Sequence, residues 1–518
     1  MKRVKWGFWG LVFMLPILVA LSGCKQFLDR KPLTATTDDL TQGALESQSL
    51  ALYNTLRSYS GFSTLPWLDF NSIRDDDAQK GSSTTDGAEI NAEFETFQYT
   101  KDDWATNTYW NDHFYMINLA NKELHDADSL KLTDEASQRN IGEACFFRAY
   151  AYFELVKAYG DVPLINFYYT KATEGIRPKS PAAMIYQLID SDLVVASGKL
   201  PVTWKANGAD TYPGRLTSGA AKSLWAQTYL FRSNWAQVTA LTKQVMASNQ
   251  YALLPHFKDV FADGLNGAGK NSLESIFEMQ ALVGQNGAMY NGASWGTSQN
   301  VRQGGADVSW NLGWGWNVPT QKLVSDWDST DPRKGSTILY SGQYDGGAAT
   351  GGYGATLPVY APGAKLDQPY WNKKVYSDPA MRAYTGQINS NGAADWINHR
   401  IIRYADVVLM LAEAANETSD TATAGNMLEM VRARARDGIA TVLPRIYYQN
   451  QAQMRTAIKN ERRWEFAMEG YRFNDLVRWG DAITVLGPLG YQAKNALYPI
   501  PQPAIDLSGG VLKQNPNY

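Results

Sequence analysis

The chain has 518 residues, and its 48 basic and 51 acidic side chains leave a formal net charge of −3 at pH 7. This near balance excludes the strongly basic surface that a nucleic-acid-binding protein needs. Hydrophobic residues make up 44% of the chain, enough for a large core, and 17 Trp with 29 Tyr give a high aromatic content. Such rings can fill an interior, and they can also contact ligands through their flat faces.

Residues 1–23 have the pattern of a lipoprotein signal peptide. Basic side chains at Lys2, Arg3 and Lys5 precede an apolar run over residues 6–21, which is shorter than a typical transmembrane helix. The run ends in Leu21-Ser-Gly-Cys24, small residues followed by a cysteine, as lipoprotein signal peptidase requires. An ordinary secretory signal with a chance cysteine is the alternative. We predict that the mature chain begins at Cys24 and that this residue carries a lipid, in which each buried methylene contributes about 0.8 kcal/mol of anchoring.

The residue after the lipidated cysteine indicates in which membrane the lipoprotein is anchored. Lys25 stands where many lipoproteins retained at an inner membrane carry aspartate, so we expect the outer membrane and its extracellular face. No other apolar stretch reaches the roughly 20 residues of a transmembrane helix. With Cys24 lipidated, only Cys145 remains, so no intramolecular disulfide is predicted and the fold must depend on its core.

Helical periodicity dominates the chain outside its middle part. The strongest helix is predicted at residues 140–159, where apolar side chains cover nearly every face, and Gly160 supplies a left-handed stop. Further helices are predicted at residues 37–58 and 104–127, and helix pairs at 217–248, 403–436 and 451–479. Small alanines among aromatic residues are typical of tetratricopeptide-type hairpins. We therefore predict a mainly α fold, a tetratricopeptide-like helical-hairpin scaffold over about residues 37–270 and 397–485.

A large loop-rich region is predicted between the two parts of this scaffold, at about residues 271–396. Glycine is dense there and helical periodicity is lost. Loops of such length in a compact protein usually carry function, so we expect the ligand region here. The C-terminal tail, residues 486–518, has prolines at positions 499, 501, 503 and 516 and is predicted to be extended across the scaffold, with Leu497, Ile500 and Ile505 as apolar anchors.

The reactive side chains form no catalytic motif. The four histidines, His113, His125, His256 and His399, are scattered without a metal-ligand spacing, and neither a G-x-S-x-G elbow nor a phosphate-binding loop occurs. Cys145 lies on an apolar helical stripe and is predicted to be core rather than a nucleophile. We therefore predict no catalytic residue, no metal site and no cofactor, and we do not expect an enzyme.

Two charged clusters have both a functional and a structural interpretation. The run Arg74-Asp-Asp-Asp77 could supply two carboxylates that flank a glycosidic bond or hold Ca²⁺. The alternative, which we favour, is a loop that caps a helix and pairs Arg74. The second cluster, Glu461-Arg-Arg463 to Glu465 with Glu469 and Arg472, has i/i+3 and i/i+4 spacings. These spacings predict complementary ion pairs within a helix, so the second cluster is interpreted as structural.

Aromatic residues of the irregular parts of the chain are the remaining candidates for ligand contact. Residues 309–317 read Ser-Trp-Asn-Leu-Gly-Trp-Gly-Trp-Asn, in which glycine leaves ring faces uncovered and asparagine can bond sugar hydroxyls. We expect about two or three rings to reach a ligand, where each contributes on the order of 1 kcal/mol beyond burial, and the others to pack inward. The candidate ligand-binding residues are Trp67, Trp295, Trp310, Trp314, Trp316, Tyr353 and Trp371.

Several short motifs follow one another in a specific order along the whole mature chain. They are Cys24-Lys-Gln-Phe-Leu-Asp29 with Pro32; Phe147-Arg-Ala-Tyr150 with Tyr159-Gly-Asp-Val-Pro-Leu164; Trp316-Asn-Val-Pro-Thr320 with Asp331-Pro-Arg333; Arg403-Tyr-Ala-Asp406 with Leu411-Ala-Glu-Ala414; Glu461-Arg-Arg463 with Gly470-Tyr-Arg-Phe-Asn-Asp-Leu476 and Arg478-Trp479; and Tyr498-Pro-Ile-Pro501 with Gln514-Asn-Pro516. No single motif is decisive. The ordered set resembles the SusD/RagB family of outer-membrane nutrient-binding lipoproteins from Bacteroidetes.

The resemblance implies a single unit over residues 24–518 on the extracellular face of the outer membrane. A member of that family acts as a lid on a SusC-like TonB-dependent transporter, captures a glycan or in some branches a peptide, and hands it over for uptake. The family's shared motifs are scaffold residues and its ligand-contacting aromatics lie in variable loops, so no site residue can be carried over. Three functions stay open: glycan capture without cleavage, which we favour, peptide capture, and glycoside hydrolysis by two of Asp75, Asp76 and Asp77.

Overall fold

The computed structural model describes residues 43–57, 62, 65–82, 88–206, 209–288, 291–302, 310–359, 369–386 and 395–518. The predicted signal peptide, Cys24 and the motif that ends at Pro32 lie outside these residues. Helices make up most of the described structure. They are α1 (Glu46–Thr55), α2 (Leu65–Leu68), α3 (Ala88–Glu95), α4 (Trp104–Ser129), α5 (Glu135–Tyr159), α6 (Ala182–Lys199), α7 (Ser218–Phe231), α8 (Trp235–Ala247), α9 (Ser294–Gln299), α10 (Gln321–Asp326), α11 (Pro332–Thr337), α12 (Pro379–Thr385), α13 (Tyr404–Glu417), α14 (Thr421–Ala435), α15 (Gln451–Phe466), α16 (Arg472–Trp479), α17 (Ala482–Leu486) and α18 (Gln502–Leu507).

The long helices pack side by side as hairpins. Helix α4 packs on α5 and α5 on α6, while α7 packs on α8, and α13 contacts α8, α14 and α15. Tight turns join the members of two pairs, with Ser233 and Ser419 in the left-handed region at φ 52° and 63°. The predicted helix pairs at 217–248, 403–436 and 451–479 are confirmed, and so is the mainly α, tetratricopeptide-like scaffold.

Helix α5 is the centre of this scaffold, and its sequence explains its position. Most of its side chains are buried, including Cys145, because apolar residues cover nearly all of its faces. Asp134 caps the N-terminus of the helix, where its carboxylate accepts the Ser137 N–H at 2.8 Å, and Gly160 with φ 71° follows the last helical residue. A Cβ at Gly160 would lie 2.9 Å from a methyl carbon of Leu497, so this glycine both stops the helix and admits the tail.

Among the described residues, ten short strands form five antiparallel pairs. They are β1 (Ala78–Gly81) with β7 (Trp316–Pro319), β2 (Val162–Pro163) with β3 (Lys179–Ser180), β4 (Lys205–Ala206) with β5 (Ala209–Asp210), β6 (Ser275–Met279) with β10 (His399–Arg403), and β8 (Ile338–Tyr340) with β9 (Tyr370–Asn372). The pair β6–β10 matters most for the architecture, because it joins the beginning and the end of the predicted loop-rich region. That region is not all loop: it also contains β7, β8, β9 and the short helices α9 to α12, which the loss of helical periodicity did not predict.

The tail lies on the scaffold as predicted, but it is not extended throughout. Tyr498 and Ile500 are fully buried, and the Tyr498 N–H donates to the Ala158 carbonyl at 2.7 Å. The expectation of an extended tail is wrong at α18. Pro501 precedes that helix and Pro503 lies in its first turn, where a missing N–H costs no hydrogen bond.

No helix in the described part of the chain is both long enough and apolar enough to cross a membrane.

Candidate functional site

Four of the seven predicted ligand-binding rings are buried. Trp67, Trp295, Trp316 and Trp371 are between 2% and 7% exposed, so their faces cannot hold a ligand and we withdraw them as candidates. Long-range partners cover them: the Trp295 ring stacks on His399 at a centroid distance of 3.7 Å and meets Trp67 edge to face at 5.4 Å. These four rings are therefore core residues.

The other three rings keep an accessible surface. Trp310 and Trp314 are partly exposed and Tyr353 is 37% exposed. Hydrogen bonds to α9 and to the residues that follow it fix the segment between the two tryptophans. The Leu312 N–H donates to the Val301 carbonyl at 2.9 Å, and the Trp314 N–H donates to the Thr297 carbonyl at 2.8 Å. The positions of both tryptophans are thus set by backbone contacts rather than by a free loop.

Trp310 and Tyr353 both pack on one small hydrophobic core. It consists of Val301, Leu312, Val318, Leu339, Leu357, Trp371 and Tyr376, and Trp310 packs against it. Tyr353 lies beside Tyr376 at a centroid distance of 5.1 Å, and its hydroxyl donates to the Tyr376 carbonyl at 3.3 Å. Trp310 and Tyr353 therefore contact the same core, although they are 43 positions apart in the sequence.

Polar groups that the sequence did not single out lie next to Trp314. Arg302 donates from Nη1 to the Ser82 hydroxyl at 2.5 Å and to the Trp314 carbonyl at 3.4 Å. Ser82 reaches this place because β1 pairs with β7, with Gly81 opposite Trp316. Gly81 has φ 74°, and a Cβ there would lie 2.4 Å from the Gly315 carbonyl oxygen, so only glycine allows this approach. A guanidinium group therefore lies next to Trp314.

One carboxylate organises the glycine-rich loop that carries Tyr353. Asp345 accepts the N–H groups of four residues of the loop at 2.8 to 3.2 Å. Burial alone would raise the pKa of Asp345, but these donors outweigh it and hold the pKa below its ordinary value. The neighbouring Tyr344 is 61% exposed and was missed by sequence reasoning. Aspartate before Gly346-Gly347 is a turn signal that could have found this loop. We call Trp310, Trp314, Tyr344 and Tyr353 the accessible rings.

The acidic run is structural, but its partners differ from the prediction. Asp76 and Asp77 are buried against Arg472 and Arg463, at 2.8 Å and 2.6 Å, rather than against Arg74. Asp75 accepts the N–H of Asp77 at 2.7 Å. Burial and its two acidic neighbours raise the pKa of Asp75, as a general acid would need. This carboxyl is nonetheless buried and bonded to its own loop, so it cannot protonate a glycosidic oxygen.

The second charged cluster is also structural, as predicted, and again the partners are different. Glu461 pairs with Arg333 at 2.6 Å and with Arg432 at 2.8 Å, and Glu469 pairs with Arg403 at 2.7 Å. These partners lie on other elements, so the expected pairs within one helix are wrong. The cluster is a buried network that joins α15 to the loop-rich region and to β10.

The buried histidines are not suited to acid–base catalysis. Burial lowers the pKa of His113 to about 4, and burial with the nearby Arg400 lowers the pKa of His399 to about 3. Both rings are therefore neutral and poorly basic at neutral pH. Within the described ranges, no three His, Cys, Asp or Glu side chains are grouped so that they could hold a metal ion.

Comparisons with known proteins agree with this architecture. A family profile described as SusD family matches residues 273–495, and a second, described as starch-binding associating with outer membrane, matches residues 26–230. SusD-like protein P2 of Formosa agariphila is 27% identical over 538 aligned positions, which cover 98% of this chain and 99% of that protein. The chain belongs to the SusD/RagB family, as its ordered motifs predicted.

Solved structures show the same fold. A laminarin binding SusD-like protein is 26% identical, with a TM-score of 0.72 over 92% of this chain and 99% of that one. Surface glycan-binding protein A from Bacteroides thetaiotaomicron, solved in complex with laminarihexaose, has the same TM-score of 0.72 and the same coverage. Its identity is 21%, so this second likeness concerns the fold alone.

Proposed function

We propose that this protein is a cell-surface glycan-binding lipoprotein. It captures an oligosaccharide or polysaccharide without cleaving it and delivers it to a SusC-like TonB-dependent transporter in the outer membrane. The observation that carries the proposal is the set of accessible rings, of which Trp310 and Trp314 are fixed by backbone hydrogen bonds beside Arg302.

The chemistry of these groups suits a sugar. A flat aromatic face covers the C–H face of a pyranose ring, and each such contact contributes on the order of 1 kcal/mol beyond burial. A guanidinium group donates several hydrogen bonds in one plane, which matches neighbouring hydroxyl oxygens. Rings held on a packed core lose little conformational freedom on binding, so more of the contact energy remains as affinity.

Two further arguments favour capture over catalysis. The carboxylates of the acidic run are buried, and the two buried histidines have lowered pKa values. The laminarin binding relative also supports a glycan as the ligand class, since it shares 26% of its sequence and most of its length with this chain. Peptide capture and glycoside hydrolysis are outcomes of the tests below.

Binding is tested with the mature chain, residues 24–518, against a panel of polysaccharides and oligosaccharides. Affinity gel electrophoresis and calorimetry are expected to show binding to at least one glycan and at least about fivefold weaker binding for Trp310→Ala and Trp314→Ala, since a lost stacking contact costs on the order of 1 kcal/mol beyond burial. Tyr447→Ala is the matched control, because Tyr447 is an exposed ring outside the site. Equal affinity in the two tryptophan variants would refute the role of these rings.

Two controls separate the alternative functions. Peptides recovered from the protein after incubation with a protein digest, together with no retained glycan, would favour peptide capture. Release of reducing ends from a bound polysaccharide would favour hydrolysis, and the expected result is no release.

Anchoring and delivery need their own measurements. In cells, Cys24→Ser is expected to move the protein from the membrane fraction to the soluble exported fraction and to remove the lipid mass from the mature N-terminus. A TonB-dependent transporter is expected to co-purify with the lipidated protein from detergent-extracted outer membranes. Absence of any transporter from such preparations would refute the delivery step while leaving glycan capture intact.

A further inference from the structure

One cavity of the structure is lined by none of the accessible rings. Its walls are α4, the segment of residues 163–177 and the C-terminal tail around α18. Its volume of about 270 Å³ is three times the 90 Å³ of the cavity beside the β4–β5 hairpin. Pockets for drug-sized ligands begin at roughly 300 Å³, so this cavity has room for a smaller ligand of about one or two rings.

The walls of this cavity are held in place before any ligand binds. The tail is fixed on both sides of α18: the Gln502 N–H donates to the Lys101 carbonyl at 2.9 Å, and the Asn515 side-chain amide donates to the Tyr159 carbonyl at 2.9 Å. On the opposite wall, Gly175 packs closely on the Tyr169 ring: a Cβ at this glycine would lie only 3.2 Å from the ring. The cavity is therefore a formed feature of the fold rather than a gap beneath a free tail.

The lining combines an apolar floor with groups that bond hydroxyls. Trp110 and Phe114, one helical turn apart on α4, are almost fully buried and give the floor its apolar surface. Asn107 and Asn111 have the same spacing and lie beside them at the wall. Each amide offers both donors and acceptors, as a pair of sugar hydroxyls requires. In the described part of the chain, neither amide has a side-chain hydrogen-bond partner.

The charge of the lining narrows the ligand class further. Arg177 is the charged group among the described lining residues, and no carboxylate is present among them. A cationic ligand would therefore meet no counter-charge. A purely apolar ligand would bury both amides without partners, which costs about 1 to 3 kcal/mol for each group left unsatisfied.

From these features we infer that this cavity is a second carbohydrate-binding site, which takes one or two sugar units and is separate from the accessible rings. The apolar floor covers the C–H face of the sugar, the two asparagine amides bond its hydroxyls, and Arg177 closes the mouth. This site does not depend on the proposed role of Trp310 and Trp314.

The test uses the mature protein and a panel of methyl glycosides of glucose, galactose, mannose and xylose, observed by saturation-transfer NMR and by crystal soaking. Ala504→Phe places a ring in the cavity from α18, and Asn107→Ala/Asn111→Ala removes the amides without filling space. Tyr115→Ala is the control, because Tyr115 is exposed on α4 but does not line the cavity. Trp314→Ala reports on the accessible rings.

The expected result is saturation transfer to at least one glycoside both in the wild type and in Trp310→Ala/Trp314→Ala, which lacks the two rings of the other site. Adding Ala504→Phe to that variant should remove the signal, and adding Asn107→Ala/Asn111→Ala should weaken binding at least about tenfold, as two neutral hydrogen bonds predict. Tyr115→Ala should bind the glycoside as the wild type does. No binding of any glycoside, binding abolished in Trp310→Ala/Trp314→Ala, or binding that survives Ala504→Phe in that background would overturn the inference. Loss of polysaccharide binding in Trp314→Ala, with the glycoside still bound, would separate the two sites.

Discussion

Replacing Glu465 by glutamine tests the role of the buried charge network most directly. The Glu465 carboxylate is fully buried and lies 2.5 Å from Arg434, 3.0 Å from Arg403 and 3.1 Å from Arg333. With Glu465 included, five carboxylates face five cations, so the network is neutral as a whole. Its members are Glu274, Asp331, Glu461, Glu465 and Glu469 with Arg333, Lys374, Arg403, Arg432 and Arg434.

Glu465→Gln keeps the shape of the side chain but leaves one buried positive charge without a partner. Removing one member of a buried pair costs about 3 to 5 kcal/mol of unfolding free energy, because the remaining charge stays out of water. Burial by itself would raise the pKa of Glu465, but Arg434, Arg403 and Arg333 hold it well below its ordinary value of 4.5. A lowered folded pKa means that this stabilisation is present above pH 4.5 and is lost as the pH falls through the folded pKa.

Urea unfolding of the mature protein at pH 7 measures the effect, and Glu429→Gln is the matched control. Glu429 pairs with Arg436 at 2.7 Å, but both side chains are partly exposed, so its loss should cost no more than about 1 kcal/mol. Glu465→Gln/Arg434→Gln restores the charge balance and should recover part of the loss. The difference between wild type and Glu465→Gln should narrow as the pH falls below 4.5. If Glu465→Gln costs as little as Glu429→Gln, the network is not a determinant of stability.

Three further predictions concern single buried groups. Burial raises the pKa of Asp395 to about 7, so Asp395→Asn should unfold with a free energy up to about 4 kcal/mol higher than that of the wild type above pH 7. This difference should vanish near pH 4, and equal unfolding free energies at pH 8 would contradict the prediction. Asp345→Ala removes the acceptor for four N–H groups and should speed amide hydrogen exchange at Tyr353 and its neighbours, whereas unchanged exchange would show that the loop needs no such acceptor. Trp67→Ala should cost about 3 to 5 kcal/mol in urea unfolding and leave glycan affinity unchanged below the unfolding range, because this ring belongs to the main core and not to the one beneath Trp310. A selective loss of affinity would return this ring to the site.

The helices and their pairing could be predicted because they depend on local periodicity. Gly160 illustrates this: apolar residues at helical spacing before it and a proline after it define the end of α5, and the structure has φ 71° there. Ser233, at φ 52°, lies in the turn between α7 and α8, inside the range 217–248 for which a helix pair was predicted. Contacts within a few residues determine these features, and such contacts are visible in the sequence.

The site could be predicted only in part, because exposure depends on distant partners. Trp314 and Trp316 stand in the same glycine-spaced motif, yet β7 buries Trp316 beside β1 and leaves Trp314 accessible. The charged residues show the same limit of prediction from sequence, because their ion-pair partners are distant in the chain. The spacing of Glu461 suggested a partner in its own helix, whereas its closest partner, Arg333, lies 128 positions away. Sequence pattern identified the residue types of the site, and long-range packing decided which of them remain open.

The buried charges also explain how a region rich in glycine can hold rings in fixed positions. Arg333 belongs to the loop-rich region and Glu461 to the scaffold, and Lys374 makes a second such link to Glu469 at 2.6 Å. Each pair lies out of water and can form only when the two regions are in register, since a shift would leave both charges buried and unpaired. The small core beneath Trp310 is thereby held against the helices. A binding surface that is ordered before the ligand arrives avoids the entropy of ordering on binding, so more of the contact energy remains as affinity.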